Sequence, residues 1–118
     1  MIRAVLEQNG SGAYIACSVK GHSDYAESGY DIVCAGASTL AITCVNSLED
    51  ICGLSSEDTV TEFGDGMLAF SLPDHLNASV MHDAQVLMRA LHLGLASLAD
   101  QYPEDIHLSI LNGGKHHD

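Results

Sequence analysis

Apolar and polar residues alternate over the first twenty positions. In Met1–Glu7, Ile2, Ala4 and Leu6 fall on one face and Arg3, Val5 and Glu7 on the other. That two-residue period is the signature of a half-buried strand. Asn9-Gly10-Ser11-Gly12 follows as a hairpin turn, and Ala13–Lys20 places Ile15, Cys17 and Val19 on one face. The two segments therefore read as an antiparallel pair. A polar stretch with glycines near its ends, Gly21–Tyr30, reads as a loop. The period then changes. Asp31 is a suitable helix N-cap, and Ile32–Ile51 is a long apolar-rich helix that Gly53 stops.

Asp58–Phe63 and Met67–Leu72 flank Gly64-Asp65-Gly66 and read as a second hairpin. Asn77–Gln101 carries Val80, Ala84, Leu87, Met88, Leu91, Leu95 and Leu98 at helical spacing, and Pro103 closes it. Asp105–Leu111 places Ile106, Leu108 and Ile110 on one face of a last strand. The order is ββαββαβ, an α+β domain with a mainly antiparallel sheet packed against two helices. Its 118 residues fit one domain, 1–118. The first helix is apolar over more than one stripe, which in so short a chain suggests a contact between subunits.

Composition narrows the class of protein. The net charge is −12, and Arg3, Lys20, Arg89 and Lys115 are the only basic residues besides histidine. That balance argues against direct nucleic-acid binding, which needs a basic footprint. It is compatible with a basic partner, and equally with solubility alone. No apolar run is long enough to predict a membrane span, and the N-terminus reads as a strand rather than a leader, so a cytoplasmic protein is expected. The cysteines, at 17, 34, 44 and 52, form no CxxC pair and match no zinc spacing with the seven histidines. No metal, cofactor or disulfide is expected. His116 and His117 lie in a Gly-rich tail that reads as a frayed end.

The candidate chemistry is concentrated between Gly21 and Ser38, where a strand end, a loop and a helix start meet. With Asp31 as the cap, Cys34 falls in the first helical turn. Free backbone N–H groups and the helix dipole there favour a thiolate and can stabilise an oxyanion. Side chains lean toward a helix N-terminus, so the sulfur would point toward the loop that carries His22. A cysteine beside a histidine base is the minimal activated nucleophile. The competing reading of Cys34 is a buried structural cysteine. The residues alone leave those two balanced, whereas Cys17, Cys44 and Cys52 fall on apolar faces and read as structural. Asp31 can orient His22 or simply cap the helix. Ser38, one turn after Cys34, can reach back into the site or bond a carbonyl of its own helix.

The segment Gly21-His22, followed by Gly29-x-Asp31-Ile32-Val33-Cys34-Ala35-x-x-Ser38-x-Leu40, resembles the signature of the ribosomal-processing cysteine protease family, Prp. The resemblance extends over the order of elements and the chain length. It implies that His22 and Cys34 form a catalytic dyad supported by Gly21, Asp31 and Ser38. It also implies a cytosolic bacterial homodimer that removes a short N-terminal extension from a large-subunit ribosomal protein. The loop from His22 to Tyr30 would order around substrate. Ser23 and Gly36-Ala37 depart mildly from the family pattern. Two readings of other classes compete: a non-enzymatic acidic protein that binds a basic ribosomal protein, and a thiol redox sensor using Cys34.

Overall fold

The computed structural model describes residues 1–21, 28–113 and 115–116, with side chains described over 1–21 and 32–113. Strand β1 (Ile2–Gln8) pairs antiparallel with β2 (Tyr14–Lys20) through the hairpin that the turn residues foretold. Asn9 shapes that turn by accepting hydrogen bonds from the N–H groups of Ser11 and Ala13. Helix α1 (Ser28–Cys52) follows, then a single turn, α2 (Ser56–Thr59). Strands β3 (Val60–Gly64) and β4 (Met67–Ser71) form the second hairpin. Helix α3 (Ala78–Gln101) is capped by the Asn77 side chain, which accepts from the Val80 N–H. Strand β5 (Ile106–Asn112) and the two-residue β6 (Lys115–His116) close the chain.

The six strands form one sheet in the order β3-β4-β2-β1-β5-β6. Among the described residues only β1 and β5 run parallel, so the sheet is mixed and mainly antiparallel, as expected. The β5–β6 pairing is a departure, because it ties Lys115 and His116 to the sheet edge where a frayed tail was expected.

Both long helices cover one face of the sheet. Ile2, Ala4 and Leu6 of β1, Cys17 and Val19 of β2, Phe70 of β4 and Ile106 of β5 point into the layer between. On α1 the buried stripe is Val33, Ala37, Ala41, Cys44, Val45 and Leu48, and on α3 it is Ala84, Met88, Leu91 and Leu95. Gly36 faces Leu98, and a Cβ on Gly94 would meet the Leu40 methyls at 2.8 and 3.0 Å, so α1 and α3 cross closely. Phe70, 1% exposed, is the largest fully buried side chain. Truncating such a residue to alanine costs about 3–5 kcal/mol.

Two local expectations fail for identifiable reasons. The alternation in β2 predicts Ile15 on the core face, but Tyr14 is the buried residue. The register runs Glu7 with Ala16 and then Gln8 with Tyr14, so Ile15 is an extra residue in a β-bulge. Past the bulge the faces exchange. Gln85 of α3 then grips Tyr14, accepting from its N–H at 2.7 Å and donating to its C=O at 2.8 Å. The Tyr14 hydroxyl reaches His92 Nδ1 at 2.5 Å. The second failure is the start of α1. The helix begins at Ser28, one turn before Asp31, so Asp31 is a helical residue and not the N-cap, and the expected loop loses Ser28–Tyr30 to the helix.

Candidate active site

Cys34 is the seventh residue of α1. This places it in the second turn, not the first as the Asp31 cap implied. By the helical i to i−4 pattern its own N–H is directed at the carbonyl of residue 30, so it is not a free N–H of a first turn. The dipole's effect fades beyond the first turn. The helix end is therefore a weaker source of thiolate stabilisation than the sequence suggested.

The thiol of Cys34 is half-buried at the wall of a cavity of about 100 Å³. Ser38 lines the same wall one helical turn on, and Gly21 lines it from the end of β2. Ile2, Val19 and Ala41 form its apolar floor. The β3–β4 hairpin closes the other side with Phe63, Gly64, Gly66, Met67 and Leu68. Ile42, Phe63 and Leu68 also line a neighbouring wider groove of about 470 Å³, together with Val45, Asn46 and Val60. Phe63 is 75% exposed and stands on β3, the edge strand beside this groove.

Three sequence-predicted site residues, Gly21, Cys34 and Ser38, are thus brought to one cavity. His22 lies outside the described residues, as does the side chain of Asp31. His22 is joined covalently to Gly21, which is at the cavity. The hairpin residues were not anticipated. The Gly-Asp-Gly spacing marks their turn, but its place beside Gly21 follows only from the β2–β4 register, which ends with Lys20 opposite Met67.

The other cysteines are chemically different. Burial pushes Cys17 and Cys44 up to about 12. Burial, and then the Asp83 carboxylate, raise Cys52. A thiol held protonated is a poor nucleophile at neutral pH. Among the described residues no group of three His, Cys, Asp or Glu side chains could hold a metal ion.

A partly exposed thiol over a glycine-lined cavity is an arrangement that a cysteine peptidase can use. Residues 1–107 match the family described as Cysteine protease Prp, and the chain belongs to that family. It is 31% identical to a ribosomal processing cysteine protease Prp of Staphylococcus aureus, over 92% of this chain and 98% of that protein. Its fold matches two crystal structures of the essential Staphylococcus aureus ribosomal processing protease Prp. The structure in complex with a substrate peptide is 28% identical, with a TM-score of 0.75 over 93% of this chain and 99% of that one. The structure in complex with a covalently linked product peptide is 30% identical, with a TM-score of 0.70 over the same shares. The chain is accordingly an enzyme, a cysteine-type endopeptidase.

Proposed function

We propose that this peptidase removes a short N-terminal extension from a large-subunit ribosomal protein, with Cys34 as nucleophile and His22 as general base. The observation that carries this reading is the shared cavity of Cys34 and Gly21, the residue that bears His22. His22 takes the Cys34 proton, and the thiolate attacks the scissile carbonyl carbon. The C–N bond breaks as the imidazolium returns the proton to the leaving amine, and a thioester remains. Water, deprotonated by His22, then attacks the thioester and releases the extension with a new carboxylate and a free thiol.

Extended chain fits the surroundings. Edge strand β3 offers a main-chain partner, and the Ile42–Phe63–Leu68 groove takes apolar side chains. The relatives' names support a ribosomal substrate, and a charge of −12 would speed encounter with a basic one.

The protein works as a homodimer in the cytoplasm on this reading. Core packing leaves Ile32 and Ile51 of α1 exposed at 60% and 57%, and these apolar side chains are suited to a partner surface. Light scattering at micromolar concentration should give twice the chain mass.

The decisive experiment incubates the enzyme with an N-terminally extended ribosomal precursor and reads the products by mass spectrometry. A single cut that releases the extension is expected, and His22→Ala should slow it by at least ~10²-fold. No cut in any such precursor removes the substrate claim, and near-normal turnover in His22→Ala removes the base.

A further inference from the structure

The turn between β3 and β4 meets the end of β2 in an unusually close contact. The N–H of Gly21 donates to the carbonyl of Gly66 at 2.8 Å. The contact lies one step beyond the last ladder pair of the sheet, Lys20 with Met67. A Cβ built on Gly66 would stand 2.1 Å from the Gly21 carbonyl oxygen. No side chain can be accommodated there without moving one backbone off the other, because the obstacle is main chain. Gly66 also has φ +67°. A positive φ alone could be met by asparagine. The contact with Gly21 cannot, since every residue but glycine carries a Cβ. Gly64, at the other side of the same turn and lining the same cavity, meets nothing within 4 Å.

We propose that Gly66 is a positioning residue for catalysis. The turn clasps the backbone of Gly21 and so fixes the point from which His22 is presented to Cys34. This role rests on the reading of His22 as the base. It explains why a hairpin distant in sequence from residues 21–38 forms one wall of the Cys34 cavity. A clasp on the residue before the base limits where the imidazole can stand. Misplacing a reacting group by about 1 Å costs on the order of 10²-fold in rate.

The test compares three variants on one peptide substrate. Gly66→Asn tolerates the turn's φ but imposes the clash. Gly12→Ala, far from the cavity, imposes the strain of a positive φ, +85°, where nothing lies within 4 Å. His22→Ala removes the base. Gly66→Asn should lower kcat by about 10- to 100-fold with a much smaller change in KM. It should also move the acid limb of the kcat/KM profile to higher pH, because a loosened imidazolium supports the Cys34 thiolate less. Gly12→Ala should lower the melting temperature and leave kcat and the pH profile as in the wild type.

Wild-type kcat and pH profile in Gly66→Asn, with turnover lost in His22→Ala, overturn the role of Gly66 alone. Full turnover in His22→Ala overturns that role and the general-base reading together. Should Gly66→Asn fail to fold, amide exchange in the wild type decides. The Gly21 N–H should be protected as strongly as that of Lys20, and rapid exchange at Gly21 overturns the clasp.

Discussion

Cys34 and Cys44 sit ten residues apart on the same helix and meet opposite surroundings. Cys34 looks into the cleft between α1, the end of β2 and the β3–β4 hairpin. Cys44, 5% exposed, looks across to α3, with its sulfur 3.8 Å from Met88 Sδ and 4.0 Å from the Leu87 carbonyl. Burial pushes its thiol up to about 12, so it stays protonated at neutral pH. One helix thus carries a thiol exposed enough to react and a thiol packed as a small hydrophobe. The difference teaches that the residue type settles little. Depth, and what stands opposite, decide the chemistry.

The sharpest way to break the comparison is the same substitution at both positions. Cys34→Ser should lower kcat/KM for the precursor by about 10⁴-fold or more, as loss of a nucleophile does, with little change in melting temperature. Cys44→Ser should keep turnover within a few-fold. It exchanges a packed thiol for a smaller, more polar hydroxyl in an apolar contact, at a cost of about 1–3 kcal/mol. Several degrees of melting temperature should go with it. Kinetics and thermal melts on both proteins check this, and the reverse pattern would move the reactive centre to the helix–helix side.

A milder probe leaves the chain intact. Timed alkylation at neutral pH, with the labelled peptides mapped, should modify Cys34 at least ~10²-fold faster than Cys17 or Cys44, whose thiolates burial suppresses. Comparable rates would show that the cleft does not distinguish its thiol from the packed ones.

The sequence made these two regions legible to different degrees. The core side follows from periodicity. Ile2, Ala4 and Leu6 alternate into the core, and Ala84, Met88, Leu91 and Leu95 recur at helical spacing. Where it failed, a local rule yielded to a longer-range one. The bulge at Ile15 turned Tyr14 inward, and a turn of α1 that includes Gly29 replaced the loop that this glycine suggested. Cys34, Gly21 and Ser38 were legible as a site because a short segment carries all three. The hairpin wall was not. Gly66 is 45 positions from Gly21 in the chain, and only the β2–β4 register brings the two together. No residue pattern encodes that pairing by itself.

The smallest expected effect separates the two regions by acid. His92 of α3 shares a hydrogen bond between its Nδ1 and the buried Tyr14 hydroxyl, and the neutral ring accepts there when its proton is on Nε2. Burial, and then the Arg89 guanidinium, hold His92 below its ordinary value of 6.5. The unfolded chain therefore binds this proton more readily than the folded one. The stability owed to neutral His92 is complete above pH 6.5 and is lost as pH falls below 6.5 through the folded value. Asparagine keeps an acceptor near the Nδ1 position and does not titrate, so His92→Asn should remove this part of the acid sensitivity. The gap in melting temperature between wild type and variant should change by a degree or two between pH 7.5 and pH 5.5, the wild type losing more on acidification. The pH profile of cleavage should be the same in both proteins, because His92 belongs to the α3 side and not to the Cys34 cavity. A constant gap in melting temperature would mean that His92 bears no acid-sensitive stability. A shifted cleavage profile would mean that the packed side and the cleft are coupled.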